Sequence, residues 1–164
     1  MKRMTAMLSA AAIVVLTAGL FAQATNFAGK WTRVEDPAAA AAAPAPGGPG
    51  GGRGGGRGGF GMEATITQDA KTITIEYMQG GQGGATPVKR VYNLDGSDSK
   101  NTMNFGGNAV EQVSKAKWDG GKLVITTAGP NGDTTQTLSL TGGNLVVESA
   151  GGRGPSTVTY KKAM

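Results

Sequence analysis

Between Glu63 and Lys162 the sequence alternates apolar and polar residues with a period of two, the pattern of strands buried on one face only. Ala64 and Ile66 share a phase, as do Ile73, Ile75 and Tyr77, then Val88, Arg90, Tyr92 and Leu94, then Val110, Gln112, Ser114, Ala116 and Trp118. Leu123 with Ile125, Gln136 with Leu138 and Leu140, Leu145 with Val147, and Val158 with Tyr160 complete the series. The opposite phase is Thr, Lys, Ser, Gln and Glu, and the abundant Thr and Val suit a pleated surface. Asp119-Gly120-Gly121-Lys122, Thr141-Gly142-Gly143-Asn144 and Asp95-Gly96 punctuate the pattern with residues that tight hairpin turns require. Connections this short join antiparallel neighbours only. The predicted fold class is therefore all-β, an antiparallel up-and-down meander of about 8–10 strands with no helix after residue 24. Ser97 to Gly107 alternates weakly and reads as a loop or a poor strand. A sheet with one apolar face must cover it, either by closing on itself or with a second sheet. The meander order favours a closed or nearly closed barrel over a two-sheet β-sandwich, which usually needs Greek-key crossovers.

The residues before this series divide in three. Residues 1–24 read as a cleavable signal peptide: Lys2 and Arg3 are followed by an uncharged run from Ala6 to Leu20 and by Ala22-Gln23-Ala24, a small-x-small cleavage site. The apolar run is shorter than the ~20 residues of a membrane span. Without a Cys after it, lipid attachment at a new N-terminus is closed, and the expected location is periplasmic or secreted. Residues 25–35 read as the first strand. Residues 36–62 read as an Ala/Pro/Gly-rich flexible loop: 11 of the 15 residues from Gly47 to Gly61 are Gly, and such a stretch buries too little to offset its ordering entropy. Residues 63–164 then form the barrel domain.

Composition excludes several chemistries. The chain has no His and no Cys, so it has no zinc finger, no thiolate nucleophile and no Ser-His-Asp triad. Its 11 Asp and Glu are scattered, mostly at turns or on the outward phase, and no run matches a calcium loop. No catalytic residue, metal or cofactor is expected. Removal of Lys2 and Arg3 with the signal takes the net charge from +5 to +3, which is ordinary for solubility. Arg53, Arg57 and Phe60 resemble an RGG box, but two arginines and an export signal point to a linker, with no nucleic acid as partner.

The first residues after the signal sharpen the reading. Asn26-Phe27-Ala28-Gly29-Lys30-Trp31 resembles the opening Phe-x-Gly-x-Trp of lipocalins and fatty-acid-binding proteins, the calycin barrels. Thr157 to Lys162 is similar to their closing strand, and Trp118 to Leu123 carries the Trp-Asp-Gly-x-x-Leu hairpin of small exported lipocalin-like bacterial proteins. The resemblance implies structural roles for Gly29, which lets the chain turn in close, and Trp31, which caps the core. It also implies an interior able to hold a small hydrophobic molecule. The inward phase then nominates Arg90, Tyr92, Gln112, Trp118, Gln136 and Tyr160 as ligand-binding residues, with Arg90 facing outward if the register slips by one. The chain departs from the fatty-acid-binding pattern in two places. Val158 stands where the final strand's ligand-gripping Arg would be, ahead of Tyr160, and the Gly-rich segment replaces the helical lid. Two functions follow: a monomeric, non-enzymatic ligand-binding barrel, or a structural or protein-interaction domain of the cell envelope whose interior is filled by its own side chains. Neither inserts stably in a membrane once the signal is cleaved. A cavity lined by Arg90 and Tyr160 favours the first; a packed interior favours the second.

Overall fold

A computed structural model describes residues 25–34, 59–81, 84–105, 108–129, 132–151 and 154–164. The predicted signal peptide and residues 36–58 of the predicted loop lie outside them. Ten strands follow in order: β1 (Gly29–Arg33), β2 (Glu63–Gln68), β3 (Thr72–Gly81), β4 (Gly84–Asn93), β5 (Asp98–Phe105), β6 (Asn108–Asp119), β7 (Lys122–Thr127), β8 (Thr134–Thr141), β9 (Asn144–Ala150) and β10 (Ser156–Lys162). Among the described residues there is no helix. The strands form one sheet in the order β4-β3-β2-β1-β10-β9-β8-β7-β6-β5, and every ladder is antiparallel. The first and last strands pair, Trp31 opposite Lys162, so the meander curls round on itself.

The barrel is nearly closed rather than fully laddered. Its two edge strands, β4 and β5, meet through side chains: Asn93 N donates to Ser99 Oγ at 2.8 Å, Asn93 Nδ2 donates to the Asp98 carbonyl at 3.0 Å, and Asn101 bonds the Val91 backbone. This is the segment with weak alternation, and it is a strand. Its inward residues Ser99 and Asn101 are polar because they complete the hydrogen bonds of the seam, which hides the two-residue pattern. On β4, Pro87 falls at an edge-strand position, where a proline's missing N–H is best tolerated.

The inward phase elsewhere is the one the alternation marks. Ile73, Ile75, Tyr92, Ala116, Leu123, Ile125, Leu138, Leu145, Val147 and Tyr160 are all 0% exposed. Leu140 and Val110 share that phase but sit near strand ends and are 39% and 46% exposed. The strand carboxylates Glu63, Glu76, Glu111 and Glu148 face solvent. Three exposed ion pairs cross the outer face, Lys89–Glu76, Lys100–Glu111 and Lys115–Asp98, each within 3.3 Å and each worth about 0–1 kcal/mol.

The two ends of the barrel differ. Short turns link β2 to β3, β4 to β5, β6 to β7 and β8 to β9 at the closed end. At the β8–β9 turn Gly142 and Gly143 both take positive φ, +57° and +80°, which a two-residue hairpin turn demands. Phe27 plugs this end. It is fully buried, stacks on Trp118 with ring centroids 5.9 Å apart, and its carbonyl accepts a 2.8 Å hydrogen bond from Trp31 Nε1. Gln68 ties down the backbone around it, accepting from Phe27 N at 2.9 Å and donating to the Thr25 carbonyl at 3.0 Å. Gly29 has φ +145°, and a Cβ there would come within 2.9 Å of Lys162 Cε. Phe27, Gly29 and Trp31 thus act as one device that seals the floor.

Candidate ligand site

Toward the open end the interior changes character. Tyr77, Val88, Arg90, Met103, Gln112 and Gln136 point inward but are only half-buried. Arg90 is the inward cation that a packed core would not choose. Its Nη2 lies 3.1 Å from Met103 Sδ, and its guanidinium sits over the Tyr77 ring, 6.0 Å from the centroid. Among the described residues Arg90 Nε is buried with no hydrogen-bond partner, and so is the hydroxyl of Tyr92, the next inward residue on β4. Burial works against the Arg90 charge, but the adjacent Tyr92 and Tyr77 phenols outweigh it and hold the guanidinium above its ordinary range. Burial pushes the Tyr77 hydroxyl up, against the opposing pull of Arg90.

A second aromatic group lies on the other side of Tyr77. Phe60, 1% exposed, packs with Tyr77 at 5.8 Å and with Tyr160 at 6.2 Å between centroids. Tyr160 Oη accepts from Phe60 N at 2.6 Å and donates to the Gly61 carbonyl at 3.2 Å. Its pKa is raised by burial, with the Phe60 N–H pulling the other way. Phe60 lies in the stretch read from sequence as loop; the lone aromatic in a glycine run was the signal, and it is a core residue.

The six nominated residues do not form one cluster. Arg90 and Tyr92 belong together, joined by Tyr77 and Met103, which the sequence reading had not nominated. Tyr77 was readable from its phase; Met103 lies on the poorly alternating β5. Gln112 stands beside Asn101 near the seam, and Gln136 lies on β8 between Ile125 and Ser149. Tyr160 is committed to Phe60 and Gly61, and Trp118 to the floor. Between Gln112 and the floor, Ser114 and Thr127 satisfy each other at 2.8 Å. Below Arg90 the fully buried side chains leave no surface that a water molecule reaches, so the closed half is packed rather than hollow. A groove of about 540 Å³ on the outer face, flanked by Glu63, Glu76, Met78, Pro87 and Lys89, reaches the inward residues Tyr77 and Val88 beside the cluster. A groove of about 430 Å³ lies on the outside of β7–β9, remote from it.

No protein-family model matches this chain, and no curated protein matches it. Solved structures do match its fold. The wild-type fluorescent protein UnaG is 21% identical, with 84% of this chain and 97% of that chain covered and a TM-score of 0.55. The REP1-NXSQ fatty acid transporter is 16% identical over 84% of this chain and 96% of that one, with a TM-score of 0.52. Human cRBP IV is 17% identical over 85% and 99%, with a TM-score of 0.55. At these identities the likeness is one of fold alone, a nearly closed antiparallel β-barrel.

Proposed function

We propose that this chain is an exported, non-enzymatic lipocalin-like barrel that binds a small hydrophobic molecule in the open half of its interior. The observation that carries the proposal is a pair of buried polar atoms without a partner among the described residues, Arg90 Nε and Tyr92 Oη, inside the barrel beside Tyr77 and Met103. Buried polar groups are nearly always hydrogen-bonded, so each exception calls for a partner, and ligand pockets carry a few such polar groups. The fold likeness to a fatty acid transporter supports the same reading. Tyr77, Met103 and Val88 give the molecule an apolar wall, while Gln112 offers a polar group at a half-buried position.

Protein purified from its own host tests this by native mass spectrometry. A co-purifying small molecule, lost on substitution of Arg90, supports the proposal; bare protein that also ignores a panel of lipids and dyes defeats it. Sequencing of the mature N-terminus tests export, with Thr25 expected first.

The packed floor favours a second reading. With ten inward residues at 0% exposure, the barrel stands on its own side chains, as an envelope scaffold or interaction domain would. A folded barrel that binds no small molecule but captures an envelope protein in its host would select it.

A further inference from the structure

Building on the ligand-binding reading, we infer that the barrel's ligand is a compact organic anion whose head group is held by Arg90 and Tyr92 from strand β4. The argument starts from charge. Among the described residues no carboxylate pairs with Arg90, because the strand acids Glu63, Glu76, Glu111 and Glu148 all face solvent and the ion pairs lie on the outer face. A guanidinium half-shielded from water without a counter-ion carries a cost, and an acid partner is the usual remedy. Among the described residues Arg90 Nη2 meets a thioether, a weak acceptor. Tyr92 is fully buried, and its hydroxyl, like Arg90 Nε, has no partner. Tyr92 lies close enough to Arg90 to help hold the guanidinium above its ordinary range. Two neighbouring donors without an acceptor call for an oxygen with lone pairs for both, and a carboxylate or sulfonate offers that and the missing charge. Water answers the first need and not the second.

Size follows from the floor. Ile73 and Ile75 pair with Tyr92 and Arg90 across β3 and β4 and are fully buried, as are Ala116, Ile125 and Leu138 deeper in. No room remains below the cluster for a long chain, so the ligand's body must extend toward the open end, against Tyr77 and Met103. A phenyl ring or a short acyl chain suits that direction better than a long chain does.

The test is isothermal titration of the mature chain with 4-phenylbutyrate and with its neutral counterpart 4-phenylbutan-1-ol, repeated on Arg90→Met, Arg90→Lys and Tyr92→Phe, with hexadecanoate as a size probe. The acid is expected to bind at least tenfold tighter than the alcohol. Arg90→Met should erase that ratio, Arg90→Lys should keep part of it, and Tyr92→Phe should weaken the acid several-fold while sparing the alcohol. Hexadecanoate is expected to bind no tighter than phenylbutyrate. Equal binding of acid and alcohol, or tighter hexadecanoate, overturns this inference and leaves the ligand-binding reading intact. If neither small probe binds up to millimolar concentration, both fail. Should Arg90→Met not fold, the Tyr92→Phe ratio and loss of acid binding with added salt decide the matter.

Discussion

The side-chain amide of Asn101 on β5 takes both backbone hydrogen bonds of Val91 on β4: its Oδ1 accepts from the Val91 N–H at 2.8 Å, and its Nδ2 donates to the Val91 carbonyl at 3.0 Å. One side chain thereby does the work of a missing stretch of ladder. Asn101→Ala should strip both partners from Val91 and cost about 1–3 kcal/mol, measured by urea denaturation. Hydrogen exchange should show the Val91 amide losing protection first. Unchanged protection at Val91 would mean that β4 and β5 do not depend on this contact.

Tyr160 provides the counterpart on the closing strand. Tyr160→Phe keeps the ring but orphans the buried Phe60 N–H, and should destabilise by about 1–3 kcal/mol. Its titration adds a signature. Burial raises the native pKa above the ordinary 10.0, so the folded state prefers the neutral phenol. The stability this supplies is complete below pH 10 and is lost as pH rises through the raised native value. Tm measured from pH 8 upward should fall less steeply in Tyr160→Phe than in the parent.

Gly61 holds Phe60 in place by geometry. Its φ is +77°, and a Cβ would meet the Met78 carbonyl oxygen at 2.5 Å. Gly61→Ala therefore combines backbone strain, about 1–3 kcal/mol, with a clash against backbone that cannot rotate away. Gly142→Ala, at φ +57° with open space around it, is the control and should cost less. Equal Tm losses in the two variants would contradict the placement of Phe60 against Tyr77.

Asp69 contributes on the acid side. Its Oδ1 accepts from the Lys71 and Thr72 N–H groups, both at 2.7 Å, and its Oδ2 accepts from Thr72 Oγ1 at 2.9 Å. The Lys71 backbone hydrogen bond, then those from Thr72, lower its pKa below 3.8. The carboxylate's contribution is present above pH 3.8 and disappears as pH falls through the lowered native value. Asp69→Asn should flatten the acid limb of the Tm–pH curve between pH 4 and 2; a limb unchanged in slope would show that other groups set it.

The fold was legible because burial on one face of a strand leaves its mark at every second residue. Ile73, Ile75 and Tyr92 carry that mark plainly, and so do Leu145 and Val147. The phase also put Arg90 inside, where the structure has it. The mark fails where an inward residue serves a neighbour instead of the core. Ser99 and Asn101 are polar because they finish the bonds of β4, which breaks the alternation along β5 and hides Met103. Phe60 was hidden for another reason: a single aromatic among glycines has no period, and only contact with Tyr77 and Tyr160, far along the chain, gives it a place. Spacing puts Arg90 beside Tyr92 on β4, but the burial of their Nε and hydroxyl groups without a partner among the described residues needed coordinates.

The partnership of Trp31 with Lys162 also sets an order of events in time. Hairpins such as β6–β7 assemble from neighbours within microseconds. Strand β1 instead waits for residues roughly 130 positions downstream before its second flank is covered. A chain delivered from its front end therefore keeps that strand half-matched until its tail is free, and assembly ends at the place where synthesis began.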